Sequence, residues 1–63
     1  MFELKFTTSG AAFGTEYDSY PEQIERKEIE RILYKVIAEV NMFHENGPIM
    51  DINGNKIGEW RLK

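Results

Sequence analysis

Between Ile24 and Phe43 the apolar residues Ile29, Ile32, Leu33, Val36, Ile37, Val40 and Phe43 are separated by steps of three, one, three, one, three and three. That is the spacing of one face of an α-helix. A strand, with its period of two, would scatter the same residues over both faces of a sheet. No other segment is as long, so the rest of the chain has to pack on this helix or join to it.

Both ends of the helix carry signals. Ser19 followed by Glu22 has the spacing of a capping box. Pro21 suits a first turn, where its missing N–H costs nothing, and Glu22 and Glu25 suit the positive end of the helix dipole. Asn46-Gly47-Pro48 reads as the stop. The expected helix runs from about Tyr20 to about His44, about 35 Å at 1.5 Å per residue. Glu22 with Arg26 and Glu28 with Arg31 are at helical neighbour spacing, worth a few tenths of a kcal/mol each.

Phe2, Leu4 and Phe6 alternate with Glu3, Lys5 and Thr7, the mark of a half-buried strand. Residues 8–19 form a long connection with Gly10 and Gly14 in it, and Phe13 is expected to close the gap between sheet and helix. After the helix, Asn53-Gly54 between two apolar runs signals a hairpin. A bulge at Gly58 would bring Trp60 and Leu62 onto the face of Ile49 and Ile57 and leave Met50 and Ile52 outside. The expected fold is α+β, in β-α-β-β order: one domain over residues 1–63, a three-stranded antiparallel sheet with the last strand central, and one long helix on one face. The expected core is Phe2, Leu4, Phe6, Ile29, Ile32, Leu33, Val36, Ile37, Val40, Ile49, Ile57, Trp60 and Leu62.

A chain of 63 residues buries only roughly 60% of its unfolded surface, and without cysteine it has no disulfide to staple it. Stability has to come from packing or self-association. Absence of cysteine fits a reducing cytoplasm. Glu3 and Lys5 interrupt the apolar start, unlike a signal peptide, and no apolar run approaches the roughly 18 residues of a membrane span. The formal net charge is −3, with Glu16, Asp18, Glu22, Glu25, Glu28 and Glu30 gathered against Arg26 and Lys27. An acidic chain without a basic stripe lacks the phosphate-neutralising charge on which nucleic-acid binding depends.

Thr8-Ser9-Gly10-Ala11-Ala12-Phe13, the helical Glu28-Ile29-Glu30-Arg31-Ile32-Leu33 and the tail Asp51-Ile52-Asn53-Gly54-Asn55-Lys56-Ile57-Gly58-Glu59-Trp60 together resemble a group of small proteins encoded by phages, prophages and conjugative elements. Those proteins have an N-A-A-F-like segment after a first strand, an E-I-x-R-I-L-like helix and a D-x-N-G-N-x-V-G-x-W ending. Here Ser9-Gly10 replaces their Asp-Asn-like pair, and the loop before the helix is longer and richer in Tyr. The resemblance implies an origin in a bacterial host's mobile DNA, and with it a cytoplasmic location, but no activity. Phage proteins of this size are often binders of a host protein, including inhibitors of defence systems.

Catalytic chemistry is not assembled here. Asp51, Asn53 and Asn55 open like a calcium loop, but Lys56 and Leu62 stand where that loop needs Gly and Glu; Asn-Gly turn chemistry accounts for them. His44, the one histidine, lies near the expected helix end, where a cation complements the dipole. No metal or cofactor is expected. The carboxylates of residues 16–30 read as a solvated surface, or as a DNA-like acidic face. Gly10 to Gly14 lacks the Lys-Ser/Thr of a phosphate loop. Nothing brings together a nucleophile, a base and an oxyanion site.

The expectation is a non-enzymatic protein-binding module, an inhibitor of a host protein, with a virion or assembly part as the alternative. Glu16, Tyr17, Asp18 and Tyr20, at the mouth of the long loop, are the contact candidates: Tyr anchors interfaces, and carboxylates steer a basic partner. A homodimer is also expected. Tyr34, Ala38 and Met42, spaced by four with Ile24 on the same side, form a second, thinner apolar stripe that one sheet cannot cover. Ala38 would let two helices approach closely. Met50 and Ile52 offer a strand edge as a second route.

Overall fold

The computed structural model describes residues 1–63. Strand β1 (Phe2–Phe6) leads through a short 3-10 turn (Ala11–Phe13) to helix α1 (Pro21–Asn41), then to β2 (Asn46–Met50) and β3 (Lys56–Leu62). The strands make one antiparallel sheet in the order β1-β3-β2, so the last strand is central, as the alternation and the hairpin signal predict. Helix and sheet form the expected α+β fold.

Leu4 lies opposite Trp60, and Phe6 opposite Gly58. On the other side of β3, Gly47 lies opposite Trp60 and Ile49 opposite Gly58. These residues share the face that carries α1. The register shifts between Ile49 and Met50, because Met50 pairs with Lys56 and Ile57 is the extra residue. The bulge is therefore at Ile57–Gly58, where the sequence places it, although Ile49 faces Gly58 and not Ile57. Gly58 is needed for a plain steric reason: a Cβ there would collide with the Lys5 carbonyl and the Phe6 Cα of β1.

Phe13, Ile32, Val36, Ile49 and Trp60 form the buried core, with Leu4, Phe6, Ala12, Ile29, Val40 and Ile57 packed around it. Phe13 closes the gap between sheet and helix as expected, its ring stacked on Phe6 with centroids 6.4 Å apart. Four residues expected inside are exposed: Phe2, Leu33, Ile37 and Leu62. The helix lies mainly over β2 and the 3-10 turn, so Leu33 and Ile37 on its flank towards β1 are left open to water. Phe2 keeps only an edge of the core, its ring 5.9 Å from that of Trp60.

The helix starts one residue later than the capping box requires. Tyr20 is the N-cap and its side chain makes no capping bond; Pro21 opens the first turn. At the other end the helix stops at Asn41. Phe43 takes a left-handed conformation, φ 64°. Its N–H donates to the Val40 carbonyl, and that of His44 to the Glu39 carbonyl, which is the bond pattern of a Schellman cap. Asn46-Gly47-Pro48, read as the stop, forms the first part of β2, and His44 lies beyond the helix.

Candidate functional site

The segment before α1 is irregular but tied down. Gly14, at φ 102°, ends the 3-10 turn so close to Pro21 that a Cβ on it would fall 2.8 Å from the Pro21 carbonyl oxygen. The Asp18 carboxylate then accepts from the Thr15 N–H at 2.7 Å and from the Thr15 hydroxyl at 3.2 Å. The Asp18 N–H returns to the Thr15 carbonyl, and the Tyr17 N–H donates to the Thr15 hydroxyl. Side-chain bonding of this kind holds a turn without a helix or ladder.

Of the four expected contact residues, Asp18 is thus the turn's own clamp, half-buried and occupied, and not a free carboxylate. Glu16 is exposed, as are Tyr17, at 89% of its full area, and Tyr20, at 65%. The three are exposed neighbours in sequence, on either side of Asp18 and its bonds to Thr15. Tyr34, Ala38 and Met42 are exposed along the helix, so their stripe is open, but Ile24 is half-buried, flanked by Ala12 and Ile52 around a shallow groove. Ile52 is not part of β2: it follows the strand, which corrects the expectation of a continuous Met50–Ile52 edge.

The structure also forms a polar cluster that the helical spacing only half reveals. Glu28, expected on a solvated surface, is 6% exposed. Its carboxylate accepts from Arg31 Nε at 2.6 Å and a terminal Arg31 nitrogen at 3.1 Å, and from the Ile52 N–H at 2.8 Å. Arg31 also donates to the Met50 carbonyl at 3.0 Å. Next to it, Asp51 accepts from the Asn53 and Asn55 N–H groups, both at 2.9 Å, and from Asn55 Nδ2 at 3.2 Å. This is the turn chemistry expected of Asp51, Asn53 and Asn55.

The Arg31 hydrogen bond holds the Glu28 carboxyl below its ordinary value, against burial, with the Ile52 N–H adding to it. Arg31 is raised in return, chiefly by that same bond. The Asn55 N–H does most to hold Asp51 low. Groups with shifted titration can mark active sites. Here both carboxylates are fixed as anions with their oxygens engaged, which suits a lock between helix and hairpin and not proton transfer. Deeper along the sheet, Trp60 Nε1 donates to Glu39 at 2.7 Å. No group of three or more His, Cys, Asp or Glu side chains is placed to hold a metal ion, and no helix is long and apolar enough to cross a membrane.

No protein-family model, curated protein or solved structure matches the chain.

Proposed function

We propose that this chain is a small non-enzymatic protein-binding module of the kind phages and mobile elements encode, and that it inhibits a protein of a bacterial host. The observation that carries this reading is the exposure of Tyr17 and Tyr20, with Glu16 beside Tyr17 in the turn, on a loop already fixed by Thr15, Asp18 and the Gly14–Pro21 contact. Two aromatic rings held out into water have no use in folding. As anchors they bring large contact area with few rotatable bonds. The fixed loop spares binding the entropy of ordering it. The acidic balance of the chain favours a basic patch on the partner.

The experiment is capture from a bacterial lysate on the tagged chain, beside the Tyr17→Ala/Tyr20→Ala variant. Both rings are exposed, so the variant keeps its helical circular dichroism. One host protein should be retained near stoichiometrically by the natural chain, and its affinity should fall at least about thirtyfold in the variant, the loss of one strong anchor. Equal retention by both chains overturns the reading. So does salt-dependent binding to plain DNA, which would reassign the partner class.

A further inference from the structure

The two outer strands leave very different edges. β2 carries Pro48 at its centre, and Leu62 N–H donates to the Glu45 carbonyl. That bond fixes the phase of the β2–β3 ladder up to the bulge, so Asn46 and Pro48 turn their backbone groups outward; beyond it the Asp51 N–H bond to the Asn55 carbonyl places Met50 likewise. Pro48 has no N–H to offer there, and this edge is blunted. β1, Phe2-Glu3-Leu4-Lys5-Phe6, has neither Pro nor Gly. Lys63 N–H donates to the Met1 carbonyl, and Thr7 N–H to the Ile57 carbonyl. The odd residues of β1 therefore face β3, and Phe2, Leu4 and Phe6 turn both N–H and C=O to the free edge. No other segment bonds to them.

We propose that this edge pairs with the same edge of a second copy, antiparallel about a two-fold axis at Leu4, to give one six-stranded sheet. In that register Leu4 meets its own copy and Phe2 meets Phe6 of the second chain, each pair exchanging two backbone bonds. The outward-facing backbone groups have the phase such pairing requires. On the outer face Glu3 meets Lys5 of the second chain, and Lys5 meets Glu3.

Charge complementarity selects both the partner and the register. Glu3 already pairs with Arg61 at 3.1 Å, and Lys5 lies opposite Glu59. The dimer extends these into rows that run Arg61, Glu3, then Lys5 and Glu59 of the second chain, alternating in sign throughout. The two neighbouring symmetric registers with the same backbone phase set Glu3 against Glu3 or Lys5 against Lys5, both repulsive.

The inner face supplies the second argument. Arg31 and Lys35 lie on the flank of α1 over β2, Arg31 bonded to Met50 and Lys35 beside Pro48 and Met50. The opposite flank, with Ile29, Leu33 and Ile37, lies towards β1. Leu33, Ile37 and Phe2 are exposed on that side of the molecule, where a second sheet half and helix would arrive. A chain of this size gains buried apolar area it otherwise lacks.

Three chains test this: the natural one, Glu3→Lys and Lys5→Glu. Sedimentation over a concentration series should give a mass twice the 7.4 kDa chain for the natural protein, and each variant alone should dimerise about tenfold more weakly. An equimolar mixture of the two variants should recover the dimer, because every facing pair is then opposite in sign. Amide exchange on the natural chain gives a readout that needs no variant. Leu4 and Phe6 N–H groups should be protected when concentrated and open on dilution, while Lys5 N–H, bonded to β3, stays protected throughout. A natural chain that remains a monomer at high concentration overturns the proposal. So does a dimer indifferent to both substitutions or with Leu4 and Phe6 amides open, which would send the interface to the Tyr34, Ala38 and Met42 stripe.

Discussion

Helix α1 is fastened in opposite ways at its middle and at its C-terminal end. At its middle, Glu28 and Arg31 reach across to Met50 and Ile52, partners far away in sequence, through a charge pair whose carboxylate is buried. At its end, the cap is made by backbone bonds from Phe43 and His44 to the turn just before them, and the residue that makes the turn possible is strained and open to water. The middle is held by tertiary structure and costs little strain. The end is closed locally by a residue poorly suited to the backbone conformation it holds. The hairpin's position therefore depends on two side chains, whereas the helix end could be improved by a single change.

The largest effect should come from Glu28→Ala. It leaves Arg31 without its partner and the Ile52 N–H without an acceptor. Removing one member of a buried pair costs about 3–5 kcal/mol. Arg31 is 37% exposed as a side chain, so water takes up part of that loss, and about 2–3 kcal/mol is expected. Urea unfolding at neutral pH would measure it. A loss below about 0.5 kcal/mol, the value of an exposed helical pair, would mean that the lock adds nothing to an ordinary surface pair.

Acid should sharpen the same contrast. Glu28 and Asp51 both have carboxyls held below their ordinary values of 4.5 and 3.8. The folded state therefore binds these protons more weakly than the unfolded chain does. The stability they contribute is fully present above pH 4.5 and is lost as pH falls through their lowered folded values. The difference between the natural chain and Glu28→Ala should be constant from pH 5 upwards and shrink below pH 4. Urea midpoints at pH 7 and pH 3 test this; a difference that stays the same at both rules out an ionised Glu28 as the source of the lock.

Local patterns foretold local structure here. The steps between Ile29 and Val40 fixed the helix and its inner row, and the alternation of Phe2, Leu4 and Phe6 fixed β1. Asn53-Gly54 and Gly58 located the hairpin and its bulge. Where two solutions share one local pattern, the sequence did not decide. Glu28 and Arg31 have the same spacing whether they lie in water or under a hairpin, so the pair was readable and its burial was not. Leu33 and Ile37 belong to the apolar face by period, but which flank a three-stranded sheet covers depends on where the helix lies across it. At the candidate contact surface, the Tyr17 and Tyr20 rings were legible as loop aromatics, while the engagement of Asp18 by Thr15 required the turn itself.

The smallest effect should be a gain, from Phe43→Gly. Phe43 holds φ 64° with 93% of its area exposed, so its ring contributes almost no burial to offset the backbone conformation. The left-handed region costs a non-glycine residue roughly 1–2 kcal/mol. Glycine removes that cost but gives the unfolded chain more freedom, a penalty of about 0.5–1 kcal/mol. The balance is a stabilisation of about 0.5–1 kcal/mol, a rise in Tm of a few degrees for a domain this small. Phe43→Ala is the control that isolates the backbone. It removes the ring and keeps a Cβ, so it should leave Tm within about a degree, because an exposed ring contributes only a few tenths of a kcal/mol. If alanine stabilised as much as glycine, the ring itself would be the destabilising element and the left-handed cap would be innocent. If both variants destabilised, Phe43 would be packed in solution, and the helix end would be held by tertiary contact as its middle is.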